Sequence, residues 1–132
     1  MFRFRLDGSS GVPPYLQLVH QVRQALLLGY LQEGDRLPTV KDVAADLVIN
    51  PNTVVKAYRQ LEHERLAGGR PGQGTFITAS SFAVEPESNQ ALRASLEEWL
   101  RTAEEAGMSE EAVTALIAVA RHDMRNMRKE KV

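Results

Sequence analysis

The stretch NPNTVVKAYRQLEHERLAGGRPGQGTFIT, residues 50–78, decides the fold. Asn50 can accept from the first free N–H groups of a helix. Pro51 fits the first helical turn, where its missing N–H would have no partner. Setting the following residues about 100° apart splits them into two faces. Val54, Ala57, Tyr58 and Leu61 form an apolar inner face. Asn52, Lys56, Arg59 and His63 form a polar outer face, with Thr53, Val55 and Gln60 on the flanks. The predicted helix covers 50–66. It can end with Arg65 in a left-handed conformation, at a cost on the order of 1 kcal/mol relative to glycine. Alternatively it runs on to Gly68-Gly69. The glycine-rich connection then predicts a hairpin with strands near 65–69 and 75–78.

Upstream of this stretch the sequence marks two more helices. Thr39 is a good N-cap, with Asp42 where a capping box wants a carboxylate. The helix it opens is short, over 40–47, with Val43, Ala44 and Leu47 inward. Before it, Pro13-Pro14 opens a helix running to about Gly29, with Leu18, Val22, Ala25 and Leu26 on its inner face and Tyr15 and Val19 beside them. At the start, Phe2, Phe4 and Leu6 alternate with Arg3 and Arg5, which predicts a short half-buried strand.

Downstream, 79–87 reads as a linker. Ala91, Leu92, Leu96, Trp99, Leu100 and Ala103 then keep helical spacing up to Gly107. Ser109 caps a last helix whose Glu110 and Glu111 suit its positive end. Its stripe is Val113, Leu116, Ile117, Ala120 and Met124.

Composition narrows the function. The 132 residues include no cysteine, which removes disulfides, thiol catalysis and thiolate metal sites. His20, His63 and His122 lie far apart, without paired metal spacing, so no metal and no cofactor is expected. No apolar run reaches the roughly 20 residues that a bilayer requires. No signal-peptide core is visible, so a cytoplasmic protein without membrane contact is expected. The net charge of −1 excludes a uniformly basic coat. It hides an asymmetry: residues 1–80 hold nine Lys/Arg against seven Asp/Glu, and residues 81–132 hold seven against ten. No nucleophile–base constellation appears, and the glycine-rich turn lacks the Lys-Ser/Thr partner of a nucleotide loop, so an enzyme is not expected.

Three short helices followed by a hairpin is the order of a winged helix-turn-helix. The chain is therefore read as α+β, mostly α: a DNA-binding domain over 1–80 and a short two-helix dimerisation tail over 81–132. A helix fits the major groove and offers side chains to base edges, while a hairpin wing reaches the adjacent backbone or minor groove. Arg59 belongs to that outer face, and Arg70 is a phosphate contact by its chemistry. The three histidines, the glutamate pairs and the cationic end are read as ordinary solvated or helix-end chemistry.

Leu31, Gly34, Leu37, Pro38 and Thr39 resemble the opening signature of GntR-family repressors. Asn50 to Tyr58 resembles the recognition helix of the YtrA-like subfamily, and Gly72-Gln73-Gly74-Thr75-Phe76 is similar to the family's wing tip. Only 54 residues follow Thr78, which matches the short helical tail of that subfamily. The resemblance implies that Thr39 and Lys41 contact phosphate. It implies that Asn50, Asn52, Thr53, Val55 and Lys56 enter the major groove, and that Gln73 and Gly74 approach the backbone or minor groove. Lys41 stands where the family usually has arginine, Pro51 and Val55 stand where the wider family often has it, and Glu64-Arg65-Leu66 replaces an acidic-glycine-aliphatic exit.

The two tail stripes cannot both be buried against a small winged domain. Leu92, Leu96, Trp99 and Leu100, with Val113, Leu116, Ile117, Ala120 and Met124, are therefore assigned to a homodimer interface. A two-fold dimer mirrors an inverted-repeat operator on double-stranded DNA. Two rivals share the fold: a protein-binding winged-helix module, and a small-molecule sensor in the tail. For the sensor, two helices leave little room for a pocket of roughly 300 Å³ except across a dimer interface. No small-molecule effector is assigned.

Overall fold

A computed structural model describes residues 2–80 and 86–130, without the side chains of residues 86–87. The order is α1 (Pro14–Leu28), α2 (Val40–Leu47), α3 (Pro51–His63), β1 (Ala67–Arg70), β2 (Gly74–Ile77), α4 (Pro86–Glu105) and α5 (Glu110–Glu130). The chain divides into two compact units, Met1–Pro86 and Glu87–Val132.

In the first unit, α3 packs against both α1 and α2. The inner face read from the sequence is the buried one: Val54, Ala57, Tyr58 and Leu61 meet Leu18, Val22 and Leu26 of α1 and Val43 of α2 in one core. Burying a leucine or valine of this kind contributes about 1.5–3 kcal/mol before chain entropy is counted. Both predicted caps are in place. Thr39 Oγ1 accepts from the Asp42 N–H at 3.1 Å, and Asn50 Oδ1 accepts from the Asn52 N–H at 2.8 Å.

Three helices of the unit end alike. A residue two or three past the helix body donates back across the last turn to the carbonyl five residues earlier: Tyr30 N–H to Ala25 O, Ile49 N–H to Ala44 O, and Leu66 N–H to Leu61 O. This closure needs a left-handed residue in between. After α1 it is Gly29, at φ 78°. After α2 it is Val48, at φ 54°, and after α3 it is Arg65, at φ 61°. The α3 helix therefore takes the earlier of its two possible exits and does not continue to Gly68-Gly69. Val48 is the more strained of the two, because its branched β carbon crowds the carbonyl that a left-handed backbone brings near.

The hairpin pairs Ala67 with Ile77 and Arg70 with Gly74. Pro71 and Gly72 form its turn, with Gly72 at φ 75° and the Gln73 N–H donating to Arg70 O. That is the geometry Pro-Gly favours. A third segment joins the hairpin: Leu37 N–H donates to Thr75 O, and Ile77 N–H donates to Asp35 O.

The N-terminal strand expected from Phe2, Phe4 and Leu6 is not formed. Its alternation is real, since Phe4 is buried while Arg3 and Arg5 are exposed. However, two glutamines of α1 take the place of a partner strand. Gln21 accepts from the Arg5 N–H and donates to Arg5 O, and Gln17 does the same for Asp7. The segment's backbone is satisfied by side-chain amides, so no ladder develops.

The second unit holds α4 and α5. Ser109 Oγ caps α5 by accepting from the Ala112 N–H. The two helices are not packed side by side along their lengths. Among the described residues of this unit, only Ala103 is buried. Most of the expected linker, residues 81–85, lies outside the described residues. No helix among the described residues is long and apolar enough to cross a membrane.

Candidate nucleic-acid interface

The outer face of α3 is a continuous exposed strip. Asn52, Lys56 and Arg59 are exposed, and Thr53, Val55 and Gln60 are half-buried along its margin. Asn52, Val55, Lys56, Arg59 and Gln60 line one shallow concavity. Within it, Asn52 makes no side-chain hydrogen bond among the described residues, so its amide is free to both donate and accept. Asn50 is different, because its amide oxygen is committed to the cap. A bidentate pair with adenine needs both ends of the amide. Asn52 therefore suits that pair better than Asn50, whose amide oxygen is oriented by the cap.

Lys56 is held in place by an element the sequence did not connect with it. Its ammonium lies 4.0 Å from the centroid of the Tyr15 ring on α1. An aromatic face attracts a cation by about 0.5–1 kcal/mol at an exposed site. The ring orders the lysine and leaves the cation at the surface. Neither residue carries a local signal of this, since they are far apart in the chain and meet only because α1 packs on α3.

Thr39 and Lys41 are set at the start of α2, and Thr39 Oγ1 is used by the cap. This end of α2 is tied to the reader helix. The Tyr58 hydroxyl donates to Pro38 O at 2.5 Å. Burial pushes the Tyr58 phenol well above its ordinary range, so it keeps its proton and acts as a donor. At the other end of α3, Arg23 forms two hydrogen bonds with Glu64, one of them from Nε at 2.9 Å, and holds its carboxyl below the usual carboxylate range.

In the wing, Gln73 is exposed at the turn, and Gly74 has φ 119°. Arg70 is exposed and stacks on Phe76, with its guanidinium carbon 4.2 Å from the ring centroid. The structure thus places the expected residues in three groups: the α3 strip, the start of α2 and the wing.

In the tail, the residues assigned to a partner remain uncovered. Leu92 is 63% exposed, Leu96 49% and Trp99 38%, with Leu100, Leu116 and Met124 also exposed. Val113 and Ile117 are half-buried, and Ala120 is exposed. A shallow, open groove at the α4–α5 turn is lined by Leu100, Glu104, Met108, Glu110, Val113 and Thr114. The two helices diverge from that turn instead of packing along their lengths.

Known proteins share this geometry. The family described as bacterial regulatory proteins, gntR family, matches residues 14–77. The chain is 34% identical to the HTH-type transcriptional repressor YtrA of Bacillus subtilis (strain 168) over 67% of its own length and 68% of that protein. It is 33% identical to the HTH-type transcriptional regulator YhcF of the same organism, over 77% of this chain and 84% of the relative. Among solved structures, a transcriptional antiterminator from Listeria monocytogenes EGD-e superposes with a TM-score of 0.59 at 28% identity, covering 92% of each chain.

Proposed function

The chain belongs to the GntR family of bacterial DNA-binding transcription regulators, in its YtrA-like group, and from that premise we propose that it binds an inverted-repeat operator as a homodimer and represses transcription there. The observation that carries the proposal is the exposed α3 strip, anchored by a buried inner face and by the Tyr58–Pro38 hydrogen bond. Residues 1–80 form the DNA-binding domain and residues 81–132 the dimerisation tail. Asn52, Thr53 and Val55 face bases, with Asn50 adding a donor. Lys56 and Arg59 lie where the strip meets phosphates. Thr39 and Lys41 contact the backbone from the start of α2, and Arg70, Gln73 and Gly74 contact it from the wing. The tail pairs through Leu92, Leu96, Trp99 and Leu100 of α4 and the Val113-to-Met124 stripe of α5. The protein acts in the cytoplasm as a regulator and performs no catalysis.

Selection of duplexes from a randomised pool by the full chain tests the first part. An inverted repeat with half-sites about one helical turn apart is expected. Recovery of single half-sites, or of no duplex, overturns the reading. Asn52→Ala is expected to lose about 1–3 kcal/mol against the selected site and to relax preference at one adenine per half-site. Sedimentation at micromolar concentration tests the second part, and a monomer there rejects the dimer.

A further inference from the structure

Arg36 precedes the Leu37-Pro38-Thr39 start of α2, and no motif of the sequence assigns it a role. It stands opposite Phe76 on the edge of β2 that β1 leaves free. Directly paired residues project on the same face of a sheet, and so do residues two apart on one strand. By this rule Arg36, Phe76, Gly74 and Arg70 share a face. The distances agree. The Arg70 guanidinium lies over the Phe76 ring at 4.2 Å, and a β carbon added at Gly74 would meet Arg36 Nε at 3.1 Å and Nη2 at 3.4 Å. Two guanidiniums therefore lie over one four-residue strand. Among the described residues neither is paired with a carboxylate. Glu62 approaches the hairpin at Gly69, which alternation puts on the opposite face.

We infer that Arg36 and Arg70 together form a phosphate-binding face on the wing, taking a phosphodiester of the DNA strand that flanks the half-site read by α3. The inference rests on the DNA-binding reading above. Planar guanidiniums present paired donors that match phosphate oxygens, and two cations without a carboxylate partner gain most from an anion between them. Gly74 is part of the arrangement. Its bare α carbon gives Arg36 room, and a side chain there would displace the guanidinium.

The test uses the full chain and the duplex it selects, with single phosphates replaced in turn by uncharged methylphosphonates. In the native protein, neutralising one flanking phosphate per half-site is expected to weaken binding. Arg36→Ala is expected to weaken binding to the unmodified duplex roughly tenfold and to abolish sensitivity to that one replacement. The plot of log affinity against log salt should become shallower by about 0.9 for each arginine–phosphate pair removed. Arg36→Gln keeps the aliphatic stem and serves if the alanine variant melts early. A merely structural role would lower affinity without changing the salt slope or the phosphate sensitivity. Arg36→Ala and Arg36→Gln variants with native slope and native phosphate sensitivity overturn the inference while the operator reading stands. Failure to select any duplex overturns both.

Discussion

The two units handle the same kind of residue in opposite ways. In the first, Leu18, Val22, Val54 and Leu61 are sealed from solvent, and every element contributes to one core. In the second, two helices of 20 and 21 residues bury only Ala103 among the described residues and leave leucines, Trp99 and methionines exposed. The first unit is a closed packing problem. The second carries two exposed apolar stripes, which on the proposed dimer reading are covered by a second chain.

The largest effect expected from this contrast is in the closed core. Leu61→Ala should cost about 2–5 kcal/mol in urea unfolding followed by circular dichroism. Leu92→Ala, in the open unit, should leave the unfolding of the first unit within about 0.5 kcal/mol. Equal losses would abolish the distinction. Next, Trp99→Ala should weaken self-association by at least about 2 kcal/mol, roughly thirtyfold, in a sedimentation dilution series. An unchanged association constant would remove Trp99 from the interface.

Smaller effects sharpen the picture of the closed unit. Val48→Gly and Arg65→Gly should each raise stability by about 1 kcal/mol in the same urea unfolding, since both positions are left-handed. Val48 is 89% exposed, so its side chain contributes little packing. The smallest effect concerns acid. Arg23 lowers the Glu64 carboxyl, so the pair's stabilisation is full above the unfolded carboxylate value of about 4.3 and fades as pH falls through the lower folded value. Solvent reaches both side chains, so Glu64→Gln should cost under about 1 kcal/mol at neutral pH. That difference should shrink below about pH 4. A constant difference across the acid limb would show that the pair's charge does not contribute.

What could be read in the sequence was local. Thr39 and Asn50 announce their helices because the capped N–H lies within three residues of the cap. The two faces of α3 follow from spacing alone. Most of the interactions that left no mark in the sequence cross between elements. Gln17 and Gln21 replace a strand that alternation alone cannot distinguish from a ladder. Tyr15 holds Lys56, and Arg36 reaches Gly74, only once α1 and the third wing segment are in place. The exit of α3 depends on the closing Leu66–Leu61 hydrogen bond, because local propensity at Arg65 argues against the conformation adopted. That α4 and α5 diverge from their turn is a matter of relative direction that neither stripe specifies.

The uncovered stripes of the tail also have a consequence for control. On the dimer reading, two chains must meet before both half-sites can be held at once. Below the dimer dissociation constant, operator occupancy then scales with the square of chain concentration. A twofold change in the amount of protein would change occupancy about fourfold in that range. The cell could therefore set the regulator's output through its supply, without any ligand, by drifting across a threshold written in Leu92, Leu96 and Trp99.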